Sequence, residues 1–317
     1  MEEELSTSPQ GAAASPLLAI WNEIEVAAFD LAPERTEALE AISKSFRIRV
    51  VVELDQGTFH FSANPATGQI SLGLAALERL WAYSMAYGYV IHRSTMDTEE
   101  GLISLAVTPE GIDAMRLLGW AHLGEQRKER LPWPSNLPKP APHSPRGSFG
   151  ELANGLFRKS LGWIILHEVG HVVHQHRSNT GRLPSELVKE EEEADRWAFD
   201  WVLHDGDVRR KQDPTEFLRR TLGITCALGL IATFEVYDRT QGVDHPDPPD
   251  RLWNFLERYV PYELASPVSP AFAWRAAVSI VKLHLDHGRV PVETEAQYPD
   301  SKACLSDLLR ALKRHRT

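Results

Sequence analysis

The amino-acid sequence predicts an α+β protein, mainly helical, with a small β-sheet near its N-terminus. Two observations carry this expectation. From Phe149 onward the apolar residues recur at the helical period, and Pro184, Pro214, Pro249 and Pro270 stand at or near segment starts, where a missing N–H costs nothing. Between Phe46 and Gly73, by contrast, three β-rich runs are separated by turn residues. At 317 residues, 43% hydrophobic and 25% charged, the chain has a globular composition and enough length for one large domain or two small ones.

Residues 1–16 are acidic and rich in Ser, Gly, Ala and Pro, so a frayed terminus with little to bury is expected. The β-rich runs read FRIRVVVEL, TFHFSAN and GQISLG, broken at Asp55-Gln56-Gly57 and again from Asn64-Pro65 to Gly68. A helix should follow from about Leu74 to Ile91, and the stretch from there to Leu131 carries no clear period. Residues 17–131 therefore read as an N-terminal α/β part. Six prolines between Pro132 and Pro145 exclude regular structure, which makes 132–148 a linker or a loop crossing a cleft. Residues 149–317 then divide into helices at about 149–177, 185–204, 214–239, 248–259, 268–287 and 301–315. No internal repeat is visible.

Charge and composition exclude several function classes. With 34 Lys plus Arg against 44 Asp plus Glu, the net charge is −10, and the short basic tail Lys313-Arg314-His315-Arg316 does not offset it. Such a chain has no general attraction to phosphate backbones, so nucleic acid is not expected as a partner. Cys226 and Cys304 stand outside any CxxC or Cys/His array, leaving no material for a disulfide framework or a thiolate zinc site. The start Met1-Glu2-Glu3-Glu4, with no Lys or Arg before Arg35, has the wrong sign for a signal peptide, and a cytoplasmic protein is expected. The most apolar run, Thr221 to Phe234, has 14 residues where a bilayer span needs about 20, and reads as a core helix packed behind the helix described next.

The helix at 149–177 contains His167-Glu168-Val169-Gly170-His171, an HExxH pattern. A spacing of four puts both imidazoles on one face, where two nitrogens can reach one Zn²⁺ at about 2.0 to 2.1 Å. Glu168 falls about 100° round the helix, beside the ion, where a carboxylate can take a proton from water. On the same helical projection Leu161, Ile165, Leu166, Val169, Val172 and Val173 gather on one side, while His167, Glu168, His171, His174 and Gln175 gather on the other. Ile164 interrupts the polar side, as pocket wall or as ordinary packing.

A catalytic zinc needs a third protein ligand and an open position. The extended motif with a third His six residues on fails, because that position is Arg177 and the expected Gly is His174. His174 itself lies another 4.5 Å or so along a straight helix from His171, a poor reach. The run Glu190-Glu191-Glu192-Glu193-Ala194-Asp195 in the next helix offers carboxylates, although a run of four Glu is usually a solvated face.

HEVGHVVH followed by ExxxD resembles the gluzincin-type zinc metallopeptidases, among them the ImmA/IrrE group, the M48-like peptidases and the Lit-type phage-exclusion peptidases. The resemblance implies a zincin-like fold, with Glu191 as third zinc ligand and Asp195 as the carboxylate that buttresses a ligand histidine. His245-Pro246-Asp247-Pro248-Pro249-Asp250-Arg251 resembles the HP…R element of M48-like peptidases, implying that His245 and Arg251 serve the cleft. The likeness covers roughly 150–260. The membrane spans common in the M48 group are absent, and Trp197-Ala198-Phe199-Asp200-Trp201 replaces the apolar segment usual in the ImmA/IrrE pattern. The Lit-type likeness accommodates both departures best.

The expected protein is a zinc-dependent endopeptidase cutting a specific protein substrate, in phage defence or regulation. One Zn²⁺ is held by His167, His171 and Glu191, Glu168 is the general base, and Arg251 or His245 stabilises the oxyanion. The rival is a zinc-binding regulatory or interaction protein that cleaves nothing, and Glu168 speaks against it because a structural site has no use for that carboxylate.

Overall fold

The computed structural model describes residues 15–54, 60–96, 108–176, 182–204, 212–237, 245–262, 271–288, 290 and 298–316. After a 3₁₀ turn at Pro16–Ile20 come three short helices, α1 (Trp21–Glu25), α2 (Ala27–Leu31) and α3 (Thr36–Phe46). Strands β1 (Arg49–Glu53), β2 (Phe61–Asn64) and β3 (Gln69–Gly73) form one sheet in the order β1-β3-β2. β1 runs parallel to β3, with Arg49 opposite Gln69 and Glu53 opposite Gly73. β2 runs antiparallel to β3, with Phe61 opposite Leu72 and Asn64 opposite Gln69.

The turn between β2 and β3 shows why its residues were chosen. The Asn64 carbonyl accepts from Thr67 N and Gly68 N, while its side-chain oxygen accepts from Ala66 N at 3.1 Å. Gly68 sits at φ +71°, and a β-carbon there would lie 2.3 Å from the Phe46 carbonyl oxygen. Only glycine lets the turn approach the end of α3 so closely.

Helix α4 (Leu74–Met96) leaves the sheet directly and is buried along Leu74 to Ile91, with its buried charges paired, Glu78 to Arg130 and Arg79 to Glu125. Helix α5 (Pro109–Arg127), which the sequence did not announce, starts on the Thr108 side chain accepting from Gly111 N at 3.1 Å, and Lys128 closes it in the left-handed region. The proline-rich stretch that follows is irregular, and it is packed. Trp133 lies against Trp81 and Trp120 with ring centroids 5.7 and 4.8 Å away, and Trp120 Nε1 donates to the Pro132 carbonyl at 3.0 Å. Further along, Asn154 Nδ2 donates to the Ala141 carbonyl at 2.8 Å. These anchors fix it to α4, α5 and the start of the next helix.

That helix, α6 (Phe149–Val173), is the axis of the molecule. Ser148 caps it by accepting from Glu151 N at 3.2 Å. It packs against α2, α4, strand β2, α7 (Pro184–Leu203) and α8 (Pro214–Tyr237). The polar side read from the sequence is itself enclosed for part of its length: Ile164, His167 and Glu168 are buried, His171 is half-buried, and His174 and Gln175 past the helix end are exposed. Helix α8 carries the long apolar run and crosses behind α6, as expected, with Ser160 Oγ donating to the Gly223 carbonyl at 2.8 Å. Among the described residues no helix is long and apolar enough to cross a membrane. Helices α9 (Pro248–Tyr259), α10 (Ala271–His287) and α11 (Ser301–Arg316) complete the chain, and buried residues before and after the proline-rich segment form one core. Burial pushes the Cys226 and Cys304 thiols up, away from reactivity.

Candidate functional site

Two small residues let two helices meet. A β-carbon added to Gly170 would lie 3.1 Å from Ala194 Cα and 3.2 Å from its carbonyl oxygen, so α6 and α7 cross there almost backbone to backbone. The crossing brings into register the residue about one turn before each small residue and the residue just after it: His167 and His171 on α6, Glu191 and Asp195 on α7.

His167, His171 and Glu191 form a group whose ligand atoms all lie within 4.8 Å of one another. The Nε2 atoms of the two histidines are 3.1 Å apart, and each lies 3.3 Å from a different oxygen of Glu191. The remaining glutamates of the run divide as their surroundings dictate. Glu190 pairs with Arg182, Glu192 is exposed, and Glu193 reaches toward His174 and His176.

Behind His167 stands Asp195, whose Oδ1 lies 2.9 Å from Nδ1, with the ring turned off the line of an ideal hydrogen bond. Arg251 fixes that carboxylate, donating from Nε to Oδ2 at 2.8 Å and from Nη2 to Oδ1 at 2.7 Å. All three side chains are less than a tenth exposed. Burial works against a charge on His167, yet Asp195 and Glu191 outweigh it and push the pKa up to about 10. Burial likewise opposes ionisation of Asp195 and Glu191, but Arg251 and His167 hold the first below its ordinary range, and His167, His171 and His245 hold the second well below. The pocket thus favours positive charge between two ionised carboxylates, and two imidazoles with a carboxylate are the donors a divalent Zn²⁺ takes.

Glu168 is buried one position along α6. His245 Nδ1 lies 3.3 Å from Glu191 Oε2, with its side chain 40% exposed, so it stands at the mouth of the group. Arg251, grouped with His245 in the sequence as a donor at the cleft, is instead placed behind the histidines, with its fork on Asp195. His174, on the same polar side, points to Glu193 at 3.5 Å and stays outside the group.

Two participants escaped sequence reasoning. His176 lies past the end of α6, yet its Nδ1 is 2.8 Å from Nδ1 of His171 and its Nε2 is 3.2 Å from Glu193 Oε2. No helical projection finds it, because Gln175 turns left-handed at φ +55° and ends the helix. Gly170 is the other. A signal was available there, since small residues inside both motifs, Gly170 and Ala194, are what a close helix crossing requires.

The family model for peptidase U49 matches residues 70–273, more than half of the chain. A curated relative, the cell death peptidase of Escherichia coli (strain K12), is 26% identical over 307 residues, covering 95% of this chain and 98% of its own. No solved structure matches.

Proposed function

The chain belongs to the peptidase U49 family, and from that membership we propose that it is a zinc-dependent endopeptidase that cuts one specific protein. Of the resemblances read from the sequence, the Lit-type one is the one that family membership supports; the wider gluzincin grouping belongs to the proposal. The observation that carries it is the convergence of His167, His171 and Glu191, whose ligand atoms lie within 4.8 Å of one another.

In this reading His167 and His171 offer Nε2, and Glu191 offers its carboxylate, to one Zn²⁺. When bound, the ion supplies Lewis acidity, polarising the scissile carbonyl and lowering the pKa of water. Glu168 takes the proton of the attacking water and passes it to the leaving amine. His245, half open to solvent beside Glu191, donates to the oxygen on which negative charge develops. Asp195 orients His167, and Arg251 acts one step further back by holding Asp195, so we assign it to positioning rather than to contact with the substrate.

The relative's name ties it to cell death. Together with the Lit-type resemblance and the acidic start read from the sequence, we take this chain to be a cytoplasmic enzyme that acts on a chosen protein, in phage defence or regulation. The test is proteomics of new protein termini in cells expressing wild type beside Glu168→Gln. We expect a small set of termini that depends on Glu168, with zinc content and fold equal in both proteins. Identical termini in the two would overturn the reading.

A further inference from the structure

We infer that His176 and Glu193 form a relay that positions His171 as a metal ligand, an inference that rests on the zinc reading above. The backbone provides the first half of the argument. Helix α6 ends with Gln175 N donating to the Val172 carbonyl at 3.2 Å and His176 N donating to the His171 carbonyl at 3.1 Å, with Gln175 left-handed between them. This is the six-to-one and five-to-two pairing of a Schellman motif, which folds the second residue past the helix back over the third residue from its end. Those two positions usually make an apolar contact. Here they are His176 and His171, and the contact is imidazole to imidazole, rings near perpendicular with centroids 4.9 Å apart.

Side-chain chemistry provides the second half. For His171 to offer the Nε2 lone pair, Nδ1 must carry the proton, and that proton needs an acceptor. Nδ1 of His176 lies 2.8 Å away and can accept only if His176 carries its own proton on Nε2. Nε2 lies 3.2 Å from Glu193 Oε2, which takes it. One assignment of protons satisfies all three groups: His171 donates to His176, and His176 donates to Glu193. The ring of His176 is buried, whereas the Glu193 side chain is 51% exposed.

The two ligand histidines are therefore supported differently. His167 rests on an anion, Asp195, that is itself gripped by Arg251, while His171 rests on a neutral imidazole tethered to a carboxylate at the surface. The His171 side is the one a surface substitution can reach.

The experiment measures zinc content and the rate of zinc loss to a chelator for wild type, His176→Phe, His176→Asn and Glu193→Gln, with melting temperatures on the same preparations. An Asn oxygen can stand where Nδ1 of His176 stood and accept the His171 proton, whereas Phe cannot. We expect His176→Phe to weaken zinc affinity by about 10- to 100-fold, the range for a lost support behind a ligand. His176→Asn should recover most of that, and Glu193→Gln should fall between wild type and Phe. Equal affinity in wild type and His176→Phe overturns the relay, as does equal loss in Phe and Asn that follows melting temperature. If His176→Phe does not fold, the Asn and Glu193→Gln variants decide alone. Wild type without zinc would instead bring down the zinc reading and the relay together, a result separate from the others because occupancy is lost before any substitution is made.

Discussion

Arg251 holds Asp195 by two parallel hydrogen bonds, at 2.8 and 2.7 Å, with both side chains buried. The pair joins the start of α9 to the middle of α7 and sets the carboxylate that faces His167. A bidentate grip restricts Asp195 to one rotation, which a single charge would not.

Arg251→Ala should destabilise the fold by about 3–5 kcal/mol, because it strands a buried carboxylate. Zinc occupancy should fall with it. Arg251→Lys keeps the charge and loses the fork, and should land between. Denaturant unfolding with metal analysis checks both. Turnover that drops while stability and zinc stay at wild type would instead place Arg251 at the substrate.

His245→Ala should behave in the opposite way. Its side chain is 40% exposed, so little packing is lost. Removing an oxyanion donor typically lowers the rate by about 10²- to 10³-fold. Zinc content and melting temperature should stay near wild type, and steady-state kinetics on a cleaved peptide would measure the drop.

Among the four consecutive glutamates, Glu191 should act as ligand, Glu193 only through His176, and Glu192 not at all. Glu191→Ala is expected to lose most bound zinc, and Glu192→Ala, which removes an exposed carboxylate, to lose none. Elemental analysis after dialysis reads both.

Gly170→Ala should push α7 away from α6, since the new methyl meets Ala194 backbone at 3.1 Å. The expected destabilisation is about 1–3 kcal/mol, with weaker zinc binding, as Glu191 and Asp195 ride on α7. Gly155→Ala in the same helix is the control. A β-carbon there meets nothing within 4 Å, and the change should be neutral or stabilise by up to about 1 kcal/mol.

Acid sensitivity between pH 7 and pH 5 should arise at a cluster of histidines on α5 and α10. His122 stacks on His287 at 4.5 Å and meets Tyr83 and His284 edge-on, and burial, with the His287 charge second, pushes its pKa down to about 3. A lowered base is neutral in the fold while the unfolded chain takes a proton below its ordinary 6.5. Its contribution is thus fully present above pH 6.5 and is lost toward pH 3, at about 1.4 kcal/mol per pH unit. His284 is shifted the same way by burial. His122→Phe should flatten the fall in urea stability between pH 7 and pH 5.

The sequence announced the helices of the second half closely, because their apolar periods and proline starts are local. Pro184–Leu203 and Pro248–Tyr259 lie within a residue of expectation. It announced α1 to α3 and α5 poorly, since short helices and a helix with scattered burial leave little period to read. Within the site, the spacing of His167 and His171 is a property of one helix and could be read directly. The choice of Glu191 among four glutamates, and the grip of Arg251 on Asp195, depend on where α7 and α9 lie, which no local pattern encodes. The expected helix to residue 177 failed at Gln175, a residue type with no known preference for the left-handed turn it makes. The expectations for 1–14, for the break at Asp55-Gln56-Gly57 and for the helix start at 268–270 lie outside the described residues.

Because α6 is enclosed without a break from Ser160 to Gly170, the helix that bears His167, Glu168 and His171 is also the beam on which the interior is hung. An enzyme with its reactive groups on a surface loop can drift in sequence around them while the scaffold stays put. On the function proposed above, this chain has no such freedom between Ser160 and Gly170. Random mutation of that stretch should yield inactive clones of two kinds, soluble proteins that have lost the chemistry and aggregated ones that have lost the fold, with few in between. Homologues under pressure to change what they cut would accordingly vary their other helices and loops, and leave this one alone.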